Sequence, residues 1–166
     1  MKTILAFLAL LYSINIYGQT TMPHQIKEEP FAVGEIGGAM NWNIKGFSPS
    51  GGPTIAIEYT PIEDWLEIEL GGTQSYSKGA SELSFDLIFK KPYTISKKLE
   101  FMFGLGPEFS SMKANAWAAE FALDFMYWPF KKRLFGFYAE PAYDYSFAAG
   151  NEQSIGFSGG LLIGIK

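Results

Sequence analysis

The chain has 166 residues, 48% hydrophobic and 17% aromatic, with no cysteine and a formal net charge of −4. That length suits one domain with a sizeable core, the acidic balance argues against a nucleic-acid partner, and the missing cysteine excludes disulfides, thiolate metal sites and a Cys nucleophile. No segment offers about 20 uninterrupted apolar residues, so a transmembrane helix is excluded, yet so much aromatic surface needs a cover.

The chain starts MKTILAFLALLYSINIYGQ: one Lys, a short apolar run from Ile4 to Tyr12 and a small residue at Gly18. The run is too short to span a bilayer and has the form of a secretory signal peptide. Residues 1–18 are therefore read as a signal, 19–30 as an exposed linker carrying KEEP and the single histidine, His24, and 31–166 as the folded domain. No cysteine follows the signal, so no lipid-bearing Cys is expected.

From about residue 31 the pattern has period two and is broken at regular intervals by turn signals. The first predicted strand, 32–44, sets Ile36, Met40, Trp42 and Ile44 on one face and Val33, Glu35, Asn41 and Asn43 on the other. GFSPSGG, 46–52, reads as a turn by composition. The second strand, 53–60, alternates Ile55, Ile57 and Tyr59 with Thr54, Ala56 and Glu58. The third, 65–76, sets Leu66, Ile68 and Leu70 against Glu67, Glu69 and Thr73, and the fourth, 81–90, sets Leu83, Phe85, Leu87 and Phe89 against Glu82, Ser84, Asp86 and Lys90. The fifth, 99–109, opposes Phe101, Phe103 and Leu105 to Glu100, Met102 and Glu108. The seventh, 134–147, opposes Phe135, Phe137 and Tyr143 to Tyr138, Glu140 and Asp144, and the eighth, 153–165, opposes Ile155, Phe157 and Leu161 to Ser154, Gly156 and Ser158.

The sixth segment, AWAAEFALDFMYW at 116–128, contains enough Ala to be a helix. A helix would stack Glu120 and Asp124 on one face, where like charges repel. As a strand it puts both carboxylates on one side of the pleat and Trp117, Phe121, Phe125 and Tyr127 on the other. It also repeats the spacing of Glu140 and Asp144, so it is assigned as a strand. Eight antiparallel strands joined by hairpins close into an all-β up-and-down barrel.

Volume decides which face is inside. An eight-stranded barrel holds one layer of side chains or one small ligand, far less than the apolar face would bring in. That disfavours a soluble periplasmic lipocalin-like binder of apolar ligands. The other face is rich in Gly, Ala and Ser and fits a narrow lumen shared with carboxylates. Aromatics gather near strand ends at Trp42, Tyr59, Trp65, Tyr76, Tyr127 and Trp128, as an interfacial girdle requires. The expectation is a transmembrane β-barrel with its aromatic wall in lipid, since closure satisfies the backbone hydrogen bonds that lipid cannot.

With repeated strands such as FMFGLGPEF and FYAEPAYDYSF, residues 31–166 resemble the small eight-stranded outer-membrane β-barrels, the family of OmpX and of the membrane domain of OmpA. The resemblance implies a monomer in the outer membrane of a Gram-negative-type bacterium. Its partners would be outer-membrane lipid and, during biogenesis, periplasmic chaperones and the assembly machinery. Both termini and the turns near 61–64, 91–98 and 129–133 would be periplasmic, with short outer loops near 45–52, 77–80, 110–115 and 148–152. The chain ends Ile165-Lys166, where such barrels often end in an aromatic that the machinery reads.

Catalysis is not expected. His24 is far from the barrel wall, so Ser-His and His-rich metal sites are lacking, and so narrow a lumen admits no sugar chain for paired carboxylates to cleave. The inward face carries an acidic cluster: Glu35, Glu58, Glu67, Glu69, Asp86, Glu100, Glu120, Asp124, Glu140 and Asp144, with Glu82 and Glu108 beside them. Its clear cation is Lys90, while Lys131–Arg133 and most other basic residues read as turns. The cluster is expected to be a polar plug that stiffens a structural envelope barrel. The alternative is a cation-selective path or a divalent-cation site on this cluster, with Ca or Mg on hard oxygens, for which joint removal of Glu67 and Glu69 is expected to weaken any calcium-dependent stabilisation. No other cofactor is implied.

Overall fold

The computed structural model describes residues 30–46, 49–77, 79–111, 116–147 and 152–166. The expected signal, all of the linker but Pro30, and His24 lie outside the described residues. Eight strands follow in chain order: β1 (Ala32–Asn43), β2 (Pro49–Ile62), β3 (Leu66–Ser77), β4 (Ala80–Thr94), β5 (Leu99–Ser110), β6 (Ala116–Tyr127), β7 (Phe135–Ser146) and β8 (Gln153–Ile165). Each pairs antiparallel with the next, and β1 pairs with β8 from Ala32↔Ile165 to Asn43↔Ser154, closing the barrel. The AWAAEFALDFMYW segment is a strand through Tyr127.

Period-two alternation becomes the two sides of the wall. Ile36, Ile55, Leu70, Phe85, Leu105, Phe121, Phe137 and Leu161 are exposed outside, while Glu35, Glu58, Glu69, Lys90, Asp124, Glu140 and Asp144 are buried inside. An all-round belt of exposed Ile, Leu and Phe is unfavourable in water and favourable in hydrocarbon. The described barrel has its large apolar side chains outside and its carboxylates inside, the facing expected from the volume of an eight-stranded lumen. Tyr59, Trp65 and Tyr127 are exposed near the end that holds Ala32 and Ile165, the terminal end of the barrel, Tyr76 is exposed at the far end, and Trp42 is half-buried there.

Trp128 does not belong to that girdle. It is 1% exposed and packs inside with Val33, Met102, Met126, Tyr138 and Leu162. Its even number gives it the parity of Glu120 and Asp124, and the chain continues that parity one residue beyond β6.

Two strands are longer than composition implies. β2 starts at Pro49 and takes in Gly51 and Gly52, and β4 continues through Lys91 and Pro92 to Thr94. A Cβ on Gly52 would lie 2.0 Å from the Gln74 carbonyl oxygen, so the SGG read as a turn is instead a place of close strand approach.

Candidate functional site

The inward residues sort into three levels. The middle level is built around Lys90, which β4 carries across the lumen over Gly104. A Cβ on Gly104 would meet Lys90 Cγ at 3.0 Å and Ile88 Cγ2 at 2.5 Å, so a bare backbone makes room for the stem. The Lys90 ammonium donates to Glu58 Oε1 at 2.8 Å, Glu140 Oε2 at 2.9 Å, Asp124 Oδ2 at 3.1 Å and Glu69 Oε2. These carboxylates come from β2, β7, β6 and β3, so one side chain on β4 ties four other strands together. Lys90 and Glu58 are each 1% exposed and Asp124 is 0% exposed. Ions so buried persist only when paired, because desolvation costs roughly several kcal/mol per ion. Glu58 and Glu69 stand directly opposite in the β2–β3 register, a repulsive arrangement that the shared ammonium offsets.

The upper level faces the far end. There Asp86 opposes Glu108, and Glu120 opposes Asp144. Asn41 Nδ2 donates to Asp144 Oδ2 at 3.1 Å, Ser154 Oγ donates to the same oxygen at 3.0 Å, and the Ser110 hydroxyl donates to Glu82. These groups line a cavity of about 250 Å³ that runs from Asn43, Ser75 and Glu152 down to Glu35, Glu69, Tyr138 and Glu140.

The lower level is a floor. Met102, Met126, Trp128 and Leu162 are each at most 2% exposed and fill the lumen toward the terminal end with Val33. Trp128 Nε1 donates to Glu100 Oε2 at 3.2 Å, and Arg133 Nη1 donates to Glu100 Oε1 at 2.8 Å. The Arg133 guanidinium also lies over the Trp128 ring, 5.9 Å from its centroid.

The acidic residues named from sequence thus share the lumen but not one site. Glu35, Glu58, Glu69, Asp124 and Glu140 gather around or beside Lys90. Asp86, Glu120 and Asp144 form the upper wall with Glu82 and Glu108. Glu100 belongs to the floor, and Glu67 lies one inward step from Glu69, opposite Lys90 in the β3–β4 register. Arg133 departs from its expectation as a turn residue: it turns back at φ 46° and is buried at 7% exposure. A basic triplet followed by a strand gives no sign of which member folds inward.

No family model and no curated protein matches the chain. Solved structures do match in fold. A de novo designed transmembrane β-barrel is similar at a TM-score of 0.57 and 11% identity, over 84% of this chain and 100% of that one. Ail, the attachment invasion locus protein of Yersinia pestis, is similar at 0.57 and 12% identity, over 81% and 98%. Neisserial surface protein A, NspA, reaches 0.61 at 14% identity, over 81% and 96%. The chain therefore has the eight-stranded transmembrane β-barrel fold, and the resemblance read from its strands holds at the level of fold.

Proposed function

We propose that the protein is an integral outer-membrane barrel with a non-enzymatic, structural role in the envelope, closed to ion flow along its lumen. The single observation that carries this reading is the layered seal: the Lys90 ion cluster lies on an apolar floor of Met102, Met126, Trp128 and Leu162. An ion crossing the barrel would have to displace a buried cation from its carboxylates and then pass a dry layer, each of which opposes conduction. The sequence supports a role without catalysis, since it has no cysteine and its one histidine precedes the barrel. In this reading the termini face the periplasm and the acidic cavity opens outward. The signal at 1–18 delivers the chain to chaperones and the assembly machinery, and the barrel works as a monomer in lipid.

Two measurements test it. Protein expressed with its own leader is expected in washed outer membranes, migrating differently in gels before and after boiling. A soluble periplasmic protein without that shift refutes the location. Purified barrel in planar bilayers is expected to give no steady current, whereas a steady cation-selective current refutes the closed lumen.

A further inference from the structure

The middle of the lumen carries more carboxylate than its ammonium can serve. Lys90 has three N–H bonds and four carboxylate partners, and Glu35 lies buried beside them at 3% exposure. The ammonium takes Glu58 by Oε1 and Asp124 by Oδ2. The opposite oxygens, Glu58 Oε2 and Asp124 Oδ1, are shielded from solvent without a hydrogen-bond partner, and so is Glu35 Oε1. Shielded, unpartnered carboxylate oxygens are rare in folded proteins because each forfeits its hydration.

Among the described residues two carboxylate triplets come close enough to share an ion, Glu108, Glu120 and Asp144 in the upper wall and Glu35, Glu58 and Asp124 in the middle, and only in the second does each member carry an orphaned oxygen; Asp86 Oδ1 is orphaned as well but belongs to neither. Glu35, Glu58 and Asp124, from β1, β2 and β6, each bring a carboxylate oxygen to within 4.8 Å of the other two. We infer that these three carboxylates hold one hard divalent cation, with Lys90 fixing two of them by their other oxygens. Calcium fits better than magnesium. Calcium accepts a cage of protein oxygens in flexible geometry, as three buried carboxylates provide, whereas magnesium sheds its water reluctantly and keeps several waters in its shell. The cation enters from the far end, along the cavity that runs from Asn43, Ser75 and Glu152 down to Glu35. Glu69, a member of the acidic cluster read from sequence, serves Lys90.

The test is calcium binding to the full-length barrel refolded in detergent after chelator treatment. Calorimetry is expected to find one calcium per barrel. The unfolding temperature is expected to rise by about 5 °C or more with calcium at 100-fold over its dissociation constant. Glu35→Gln and Asp124→Asn should abolish both effects, and Glu120→Gln in the upper wall should leave them. Glu35→Asp, which keeps the charge but withdraws the oxygen, should weaken binding in a barrel that still folds. No saturable calcium in the parent overturns the proposal, as does full binding by Glu35→Asp or Glu35→Gln. Loss of binding in Glu120→Gln alone moves the site to the upper wall and also overturns it. Conductance is a separate readout: a barrel that binds calcium and conducts refutes only the closed lumen.

Discussion

Replacing Lys90 by methionine keeps most of the stem and removes the charge on which the middle lumen depends. The ammonium donates to four buried carboxylates. Charge-assisted bonds contribute roughly 1.5–3 kcal/mol each, so four taken separately would suggest about 6–12 kcal/mol. They are not separate, because one ammonium with three N–H bonds serves all four and neighbouring contributions do not add. A better guide is the cost of removing one partner from a buried ion pair, about 3–5 kcal/mol. Coulomb's law gives the same scale, since two like charges about 4 Å apart at an effective dielectric near 20 repel by about 4 kcal/mol. Lys90→Met is therefore expected to lose about 3–5 kcal/mol at neutral pH, measured by urea unfolding in lipid vesicles with tryptophan fluorescence. The loss should shrink as pH falls, because protonation removes the negative charges that the ammonium balances. Adding Glu58→Gln and Glu69→Gln to Lys90→Met should recover part of it. A loss below about 0.5 kcal/mol at neutral pH, the size of an ordinary surface change, would refute Lys90 as the charge-balancing centre.

Trp128→Ala should cost about 3–5 kcal/mol, as for a buried Trp truncated in a packed core. Trp65→Ala, at the exposed girdle, should cost distinctly less; equal losses in urea unfolding would mean that Trp128 faces lipid after all. Leu105 is 51% exposed and lies midway along β5, opposite Phe121 midway along β6. Leu105→Arg should destabilise the barrel in vesicles by about 2–4 kcal/mol, the cost of a cation at the bilayer midplane, and no loss would contradict a lipid-facing wall.

How much of this was legible in the sequence depends on which signal carried it. Strand number and facing were legible because alternation continues through nearly every strand, so that Glu120 and Asp124 fall inside once Phe121 and Phe125 fall outside. Strand ends were less legible. SGG and KKP look like turns by composition, but whether Gly51 and Gly52 turn or pack closely is decided by the neighbouring strand. Trp128 was misread for a different reason. Its nearness to a strand end suggested a girdle, although parity with Asp124 and Met126 already pointed inward. The levels within the lumen were out of reach, because grouping Glu58, Glu69, Asp124 and Glu140 around Lys90 requires knowing which strands face one another across the barrel. Arg133 was hidden because its pairing with Glu100 depends on a left-handed backbone turn.

An apolar lumen would avoid the desolvation cost of the ion cluster, so the cluster needs a reason beyond stability. Register supplies one. A slip of one residue in any strand exchanges its two faces. In β2, β3, β6 or β7 such a slip would carry a Lys90 partner into hydrocarbon and leave the ammonium short of a charge, and in β4 it would expel Lys90 itself. Each error costs about 2–4 kcal/mol or less for a charge on the lipid face, depending on depth, before any lost pairing is counted. Glycine weakens the register at several points, since Gly37 pairs with Gly160 and Gly38 with Gly159 between β1 and β8, with no side chain to mark their faces. The ion cluster fixes the strands opposite and beside β4, where a slip would otherwise only exchange one set of apolar contacts for another. On this argument Lys90 and its carboxylates select one closed barrel among near alternatives, and the orphaned oxygens of Glu35, Glu58 and Asp124 are the part of the cluster left over for a ligand.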